Sequence, residues 1–370
     1  MFTPQWIWQQ EDWPNFTWQE DIVQPLLRHT RLKQGILLGT CHYLSQVDHS
    51  TLKLETLSLN IIASSAIEDE SLNVQLLRSS LARRLNIVED RHDSKSKRSE
   101  GLVEIMLDAV TNLEHPLTRE RLFQWHQWIF IEQDRWAGKI RIGELRVEGM
   151  EVVSGLADKP IIHFQAPDSD ILDAELDQFI EWFNRSQEDN LLDPLLRAAI
   201  THLWFVTLHS FDDGNGRITR ALTDLALAQA EPQSIRFYAM PAAIFEQRKD
   251  YYRILEQSQR GKLDITDWVV WFLQTLDQAI QRTLDRIQTS LIKAQFWQRL
   301  NVLSLSQEQL KVLNLMLEEE QNEMSTSQYQ TLTNVSKATA KRHLADLLEK
   351  GCIKKLEGEG RNTRYQIAFG

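Results

Sequence analysis

The sequence predicts a mainly α-helical protein, and three observations support this prediction. The 370 residues include only 14 Gly and 9 Pro, so residues that interrupt helices are scarce. Apolar residues recur over long stretches with the helical period, whereas alternating runs of β-branched residues are rare. The apolar fraction of 42% and the charged fraction of 25% are those of an ordinary folded chain, which excludes a wholly disordered or collagen-like protein.

The N-terminal part of the chain is expected to be helical over residues 22–47 and 50–66. The segment before these helices is rich in tryptophan, with Trp6, Trp8, Trp13 and Trp18. Burial of these side chains against a helical domain is one interpretation, and an aromatic ligand site is the other. The polar and charged residues 91–100 predict a solvent-exposed loop, after which helices resume.

A break in the helical pattern follows Gly143. Residues 150–154 and 161–164 form two short β-like runs, and the turn-rich residues 155–160 separate them. This pattern predicts a β-hairpin inside the helical domain. The edge of a hairpin can hold an extended peptide by main-chain pairing, although a purely structural connection has the same signature.

Residues 306–369 have a pattern of their own. Helices are expected at 306–319, 325–330 and 336–350, and strands at 352–356 and 364–369, around a turn at 357–360. The order of three helices followed by a hairpin is that of a winged helix-turn-helix. The basic residues of its third helix and hairpin include Lys337, Lys341, Arg342, Lys354, Lys355, Arg361 and Arg364. They can meet a DNA backbone, while a domain for protein contacts stays an equal alternative.

Charge, hydropathy and cysteine usage limit the classes of function. The net charge of −11 argues against a protein that coats nucleic acid with its whole surface. No apolar stretch approaches the roughly 18 residues of a membrane span, and the N-terminus has no signal-peptide pattern. The two cysteines, Cys41 and Cys352, have no metal-binding or redox spacing. A cytoplasmic location without membrane contact is therefore expected.

The most chemically informative segment begins at Asp193. Together with Pro194 it forms a strong helix start, and the helix is expected to end near His209. The following loop, residues 210–216, contains two glycines and an asparagine, which tolerate a left-handed backbone. A second helix is expected from about Arg217. The result is a helix–loop–helix with a histidine at the edge of the loop.

Such a loop is suited to binding an anion. Backbone N–H groups and the positive end of the second helix favour phosphate oxygens. Arg217 and Arg220 lie at the start of that helix, where they oppose its dipole unless an anion lies in front of them. Asp213 is a hard oxygen ligand that suits Mg²⁺, and His209 can accept a proton from an attacking hydroxyl. Phe211 is expected to anchor the loop.

Residues 209–220 read HSFDDGNGRITR and match each fixed position of the pattern H-x-F-x-[DE]-G-N-G-R-x-x-R. This segment resembles the signature of the Fic family (filamentation induced by cAMP), whose members mostly transfer AMP from ATP to a protein hydroxyl. Ser210 stands where proline is usual. The tryptophan-rich block is similar to the helical N-terminal domain of a bacterial Fic subgroup, and the hairpin resembles the Fic flap, which clamps the target segment. The resemblance covers about residues 1–280.

The resemblance implies a role for each residue of the motif. His209 would deprotonate the target hydroxyl, and Asp213 would hold Mg²⁺ between the α- and β-phosphates of ATP. Arg220 would bind the γ-phosphate, and Arg217 would neutralise the phosphates. The residues that would cradle the phosphates through backbone and amide N–H groups are Gly214, Asn215 and Gly216.

A later helix carries a pair of tyrosines that the resemblance assigns to the nucleotide pocket. Tyr251 and Tyr252 would line this pocket, together with Gln259 about two turns further on. The alternative for the tyrosine pair is an ordinary aromatic core. The resemblance therefore leaves the position of these side chains open.

A second segment, SSAIED at residues 64–69, resembles the Fic inhibitory motif [ST]-x-x-x-E-[GN]. Ser64 and Glu68 match, whereas Asp69 stands where Gly or Asn is usual and adds a negative charge. The resemblance implies that Glu68 pairs with Arg220 and so occupies the seat of the γ-phosphate. A paired arginine and carboxylate form a strong and geometrically exclusive contact.

These observations predict an N-terminal helical domain at 1–95, a Fic catalytic domain at 100–285 and a winged helix-turn-helix at 300–370. The expected function is Mg²⁺-dependent transfer of AMP from ATP to a Ser, Thr or Tyr hydroxyl of a protein target, inhibited by Glu68. The alternative is a nucleotide-sensing transcription regulator that binds DNA. Self-modification and homodimer formation stay open, as do UTP or GTP as donors.

Overall fold

The computed structural model describes residues 5–42, 44, 46–87, 96–131, 140–156, 159–230, 237–300, 303–318, 323–356 and 363–369. Fourteen α-helices and five β-strands lie within these ranges, which confirms the mainly helical fold. The chain divides into two compact units, Met1–Thr283 and Leu284–Gly370. The division into three domains stays a prediction. None of the helices in the described ranges is long and apolar enough to cross a membrane.

The first unit contains ten complete helices and one hairpin. In chain order these are α1 (Glu20–His42), α2 (Gln46–Ile67), α3 (Val74–Arg84), α4 (Lys97–Thr111), α5 (Arg119–Ile129), β1 (Glu151–Leu156), β2 (Lys159–Gln165), α6 (Leu172–Arg185), α7 (Pro194–Leu208), α8 (Asn215–Gln229), α9 (Met240–Glu246) and α10 (Arg248–Gln259). Helix α11 (Thr266–Leu300) continues from the first unit into the second.

Helices α7 and α8 pack against each other and carry the predicted helix–loop–helix. The side chain of Asp193 accepts a hydrogen bond from the backbone N–H of Leu195 at 2.8 Å, and Pro194 occupies the first turn of α7. All of α7 after this proline is buried, so the helix is a core element on every face. Helix α8 begins at Asn215, two residues earlier than predicted, because Gly214 forms its N-cap with a φ of 81°.

Helix α2 places the predicted inhibitory segment beside α8. It packs against α3, α4, α8 and α9. Its buried side chains include Leu54, Leu57, Ile61 and Ile67. Because α2 ends at Ile67, the acidic residues 68–70 follow directly from a helix that is fixed in the core.

The hairpin of β1 and β2 is antiparallel, as predicted, with Glu151 opposite Gln165 and Ser154 opposite Ile161. Its exposed apolar side chains are Val152, Val153, Ile161 and Ile162. The guanidinium of Arg260 donates hydrogen bonds to the backbone carbonyls of Ile162 and His163 in β2. Arg260 therefore ties the main chain of β2 to the end of α10.

The N-terminal tryptophans pack against the first unit, in agreement with the burial interpretation. Trp6 is 1% exposed and meets the ring of Phe164 edge to face at a centroid distance of 5.5 Å. The indole N–H of Trp8 donates to the carbonyl of Gln165 at 2.8 Å. Trp13 donates in the same way to the carboxylate of Glu175 at 2.8 Å. The aromatic segment thus supports the hairpin and α6.

The second unit folds around its own core. After α11 it contains α12 (Gln307–Glu318), β3 (Glu323–Ser325), α13 (Thr326–Thr333), α14 (Lys337–Glu349), β4 (Ile353–Lys355) and β5 (Arg364–Ile367). The sheet order is β3–β5–β4, with both pairs antiparallel. Strand β3 was missing from the sequence-based prediction. Residues 91–95 of the predicted polar loop, the turn at 357–360 and Arg361 lie outside the described residues.

Candidate active site

The loop between α7 and α8 is closed by hydrogen bonds of the Asn215 side chain. Its Oδ1 accepts from the backbone N–H of Phe211 at 2.9 Å, and its Nδ2 donates to the carbonyl of the same residue at 2.7 Å. An amide side chain satisfies both backbone groups at once. In the described conformation the side chain of Asn215 shapes the loop, and its contribution to phosphate binding stays a prediction.

Phe211 anchors the loop in the core, as its apolar character predicted. It is fully buried and stacks on the ring of His126 at a centroid distance of 4.3 Å. The Nδ1 of His126 accepts from the backbone N–H of Gly143, and its Nε2 donates to the carbonyl of Asp213. Burial lowers the pKa of His126 to about 4, which keeps this ring neutral. Sequence reasoning missed His126, because nothing local distinguishes it from any core histidine.

His209 forms the C-cap of α7 with a φ of 50°, a left-handed conformation that is uncommon for a residue with a side chain. Its Nδ1 lies 3.4 Å from the carbonyl oxygen of Val206. Since a carbonyl only accepts hydrogen bonds, a neutral ring holds its proton on Nδ1 and leaves a free lone pair on Nε2. Burial lowers the pKa of His209, and the charge of Arg146 acts in the same direction. The ring is thus a neutral base near pH 7.

Asp213 offers the more accessible of the two carboxylates in the loop. Its side chain is 53% exposed, and its Oδ1 accepts from the N–H of Gly214 at 2.5 Å. The carboxylate of Asp212 instead accepts from the backbone N–H of Arg141 at 2.9 Å. The described residues contain no cluster of three metal-binding side chains. Mg²⁺ commonly binds through one or two carboxylates together with substrate phosphates, and Asp213 fits that donor set.

Arg220 is held by the predicted inhibitory segment. It is 2% exposed, and its Nε donates to the hydroxyl of Ser64 at 2.8 Å. Its Nη2 donates to the carboxylate of Glu68 at 2.7 Å and to the carbonyl of Ser64 at 2.9 Å. Burial disfavours the ionised Glu68, but the charge and hydrogen bond of Arg220 outweigh it and hold the pKa of this carboxyl below its ordinary value. Both groups are therefore charged.

The Glu68 carboxylate lies directly against the backbone of Gly216. A Cβ atom at Gly216 would lie 2.1 Å from Oε1 of Glu68, so only glycine leaves room for an anion there. Nη1 of Arg220 and Nε of Arg217 are buried without a hydrogen-bond partner among the described residues. A negatively charged oxygen beside unfilled arginine donors marks this position as an anion seat.

Arg217 is held by an acid that sequence reasoning missed. Its Nη1 lies 3.0 and 2.9 Å from the two carboxylate oxygens of Glu70. Glu70 also pairs with Arg98 at 2.7 Å. The residue lies just beyond the six-residue motif SSAIED, and its partner is 147 positions away, so no local pattern revealed it.

Asp69 points away from the loop. Its carboxylate pairs with Arg248, with contacts of 2.5 and 2.6 Å. The backbone of Asp69 has a φ of 58°, a conformation that Gly and Asn adopt more easily than most residues. This left-handed backbone is consistent with the Gly or Asn of the inhibitory motif at this position. The ion pair with Arg248 neutralises the additional charge of Asp69.

The structure divides the three residues assigned to a nucleotide pocket. Tyr251 is buried, and its hydroxyl lies 2.9 Å from Nε2 of His202. Gln259 is also buried, and its amide donates to the hydroxyl of Thr207 at 3.3 Å. Both side chains are buried in the described conformation, so the nucleotide-pocket role of Tyr251 and Gln259 stays a prediction. Tyr252 is 41% exposed and donates to the carbonyl of Ile67.

The site combines three features. Helix α7 ends at His209, a loop with glycine follows, and two arginines lie at the start of α8. Residues 116–227 match the Fic/DOC family. This part of the chain is a Fic/DOC domain. Residues 6–87 match a domain of unknown function, DUF4172, and residues 306–368 match the family "Transcriptional regulator DIP2311-like, C-terminal domain".

Similar proteins agree with this assignment. The chain is 32% identical over 121 residues to the protein adenylyltransferase Fic of Nematostella vectensis, and 30% identical over 118 residues to the protein adenylyltransferase fic-1 of Caenorhabditis elegans. These matches cover 32% and 31% of the chain, but only 25% and 21% of the relatives, so the chain spans about a quarter of their length. A Fic family protein from Desulfovibrio desulfuricans has the same fold, with a TM-score of 0.54, 20% identity and coverage of 96% and 98%.

Proposed function

We propose that this chain transfers AMP from ATP to a serine, threonine or tyrosine hydroxyl of a protein. The observation that carries the proposal is the neutral His209, with Nε2 available, at the edge of a loop that holds an anion between Gly216 and Arg220. The names of the relatives, which are protein adenylyltransferases, support the same reaction class. A protein that only senses a nucleotide would need the anion-binding position, but it would not need His209 as a base.

The residues around the loop divide the tasks of this reaction. The target hydroxyl oxygen attacks the α-phosphorus of ATP while its proton passes to Nε2 of His209. The bond from the α-phosphorus to the bridging oxygen breaks, pyrophosphate leaves, and the proton is later released to solvent. The backbone N–H groups of Gly214, Asn215 and Gly216 and the positive end of α8 hold the phosphates. When bound through Asp213, Mg²⁺ supplies positive charge to the phosphates.

The proposal includes inhibition by Glu68. Its carboxylate and the γ-phosphate compete for Arg220, and Ser64 fixes the same guanidinium through two further contacts. With Glu68 in place, the triphosphate cannot align its α-phosphorus with the attacking hydroxyl. In-line alignment supplies most of the catalysis in phosphoryl transfer. The described conformation is therefore the inhibited one.

The test uses ATP, UTP and GTP, each labelled at the α-phosphate. We expect the Glu68→Gly chain to label protein with ATP as donor, and the chain itself is the first acceptor to inspect. The same chain carrying His209→Ala is the control and should give no label. The proposal would be contradicted if none of the three nucleotides labelled protein. It would also be contradicted if the His209→Ala chain incorporated as much label as its parent.

A second candidate function, DNA binding, rests on the surface of α14. Lys337, Lys341 and Arg342 are exposed and form no ion pair within the described ranges. Arg364 was also predicted to contact DNA, but it pairs with Glu323 at 3.2 Å. If α14 binds DNA, affinity measured by fluorescence anisotropy should fall steeply with salt and with Lys341→Ala. Binding that stays undetectable at low salt on random-sequence DNA would favour a role in protein contacts.

A further inference from the structure

One buried arginine connects the candidate base to both ends of the hairpin. Arg146 is 2% exposed, and its guanidinium donates hydrogen bonds to four backbone carbonyls. Its Nε donates to the carbonyl of His209 at 2.7 Å. Nη1 donates to the carbonyl of Glu148 at 2.8 Å, and Nη2 to the carbonyl of Pro167. Three separate segments thus bind to one planar group.

Arg146 connects the base of the hairpin to the end of α7. Glu148 precedes β1 and Pro167 follows β2, so Arg146 holds the base of the hairpin closed. On the other side it binds the end of α7, because Nη2 also reaches the carbonyl of Leu208 at 3.4 Å and the backbone N–H of Arg146 donates to Ser210 at 3.1 Å. The last carbonyls of a helix have no partner within the helix and carry its negative end, which favours a buried cation.

We propose that Arg146 is the positioning residue that sets the distance between the base His209 and a hydroxyl presented on the hairpin. The inference rests on the proposed function, in which His209 accepts the proton of the target hydroxyl. It adds that the target segment lies along β1, whose second edge pairs with no other strand among the described residues. His209 has a left-handed backbone with a φ of 50°, so its orientation requires support from neighbours. Arg146 supplies that support and fixes the hairpin with the same guanidinium.

The planar guanidinium is needed because its five N–H donors point in fixed directions. A lysine ammonium carries the same charge but cannot bridge carbonyls on opposite sides. Burial lowers the pKa of His209; the charge of Arg146 lowers it further, whereas the charges of Glu68 and Asp213 raise it. Replacing Arg146 with methionine should therefore raise the pKa of His209, whereas lysine should retain most of the effect of the charge.

The experiment compares Arg146→Lys and Arg146→Met in the Glu68→Gly chain. Arg197 provides a matched control, since it is also 2% exposed and bonds to the carbonyl of Phe183 and the hydroxyl of Ser186. We expect both Arg146 variants to bind MgATP with unchanged affinity by calorimetry. Self-labelling should fall about hundredfold in Arg146→Met, since misplacement of about 1 Å costs that much, and by at least tenfold in Arg146→Lys. Arg197→Lys should keep its rate.

A second readout does not depend on transfer. In NMR spectra, the ring signals of His209 and the methyl signals of Val152 and Val153 should shift together in Arg146→Met and Arg146→Lys, but not in Arg197→Lys. If the parent Glu68→Gly chain transfers no AMP, the proposed function is wrong. The NMR shifts then test by themselves whether Arg146 positions His209 and the hairpin. Transfer at the parental rate in Arg146→Lys, or His209 signals unmoved in Arg146→Met, would overturn the inference.

Discussion

Arg217 donates from one nitrogen, Nη1, to both carboxylate oxygens of Glu70, at 2.9 and 3.0 Å. The neighbouring pair of Glu68 and Arg220 is 2.7 Å apart. Two acids separated by one residue therefore engage both arginines of the loop. Asp69 between them turns to Arg248 on another helix. Arg217 and Arg220, here called the loop arginines because they follow the loop at the start of α8, are thus each paired with an acid, which matters for the proposed inhibition.

The first prediction concerns these two acids. Glu68→Gly should raise ATP-dependent self-labelling about ten- to hundredfold, because a charge-assisted hydrogen bond contributes about 1.5–3 kcal/mol. Adding Glu70→Gln should give a further gain of about three- to tenfold, since Arg217 becomes free for the phosphates and partial exposure weakens its pair with Glu70. The measurement is the initial rate of label incorporation.

Asp69→Asn is the matched control for this series. It removes an acid of the same segment, keeps a residue that tolerates the left-handed backbone, and leaves both loop arginines paired. Its rate should equal that of the wild type. A rate for Glu70→Gln with Glu68→Gly no higher than for Glu68→Gly alone would show that Glu70 has no share in the inhibition.

The second prediction separates the base from phosphate binding. His209→Ala in the Glu68→Gly chain should abolish transfer, while calorimetry still detects MgATP, because the backbone of the loop and Arg217 hold the phosphates. Loss of ATP binding together with transfer would mean that His209 holds the loop in shape rather than accepting a proton.

The third prediction concerns the metal. Asp213→Asn should abolish Mg²⁺-dependent transfer, because this carboxylate is half-exposed and has an oxygen available. Asp212→Asn is the adjacent control, and it should retain most of the rate because its carboxylate serves the backbone of Arg141. The opposite order of rates across a Mg²⁺ titration would assign the metal to Asp212.

The fourth prediction concerns stability and pH. Burial lowers the pKa of His202 to about 3, from an ordinary value of 6.5. Between these two pH values the unfolded chain binds a proton at His202 that the folded chain does not. The free energy of unfolding should therefore fall on acidification below pH 6.5, by about 1.4 kcal/mol per pH unit from this group. Urea unfolding between pH 7 and 5 measures this free energy, and it should fall less steeply with acidification in His202→Gln than in the wild type. An identical pH dependence in the two chains would contradict a neutral, buried His202 ring.

The elements of the site could be predicted because their signals are local. Asp193 and Pro194 mark the start of α7, and the glycines of the loop place the start of α8 to within two residues. The three-residue strand β3 could not be predicted in the same way. It exists through pairing with β5, where Glu323 lies opposite Gln366. Such a short strand has no periodic pattern of its own.

The contacts of the site were less predictable than its elements. Glu70, His126 and Arg146 act through partners that are distant in sequence, and each is an ordinary residue in its own neighbourhood. Asn215 shows the reverse case. Its presence in the loop was expected, but the choice between phosphate and the backbone of Phe211 depends on loop geometry that composition does not encode.

The origin of Glu68 and Glu70 at the end of α2 restricts how an activated form of this chain can arise. Helix α2 contributes Leu54, Leu57 and Ile61 to the core and packs against α3, α4, α8 and α9. Proteolytic removal of the helix would expose the apolar faces that it covers, so cleavage would deliver an aggregating fragment rather than a working one. If Glu68 inhibits transfer as proposed, activation that leaves α2 in the core would act on the acidic residues after Ile67, by a point substitution or by a ligand that displaces them.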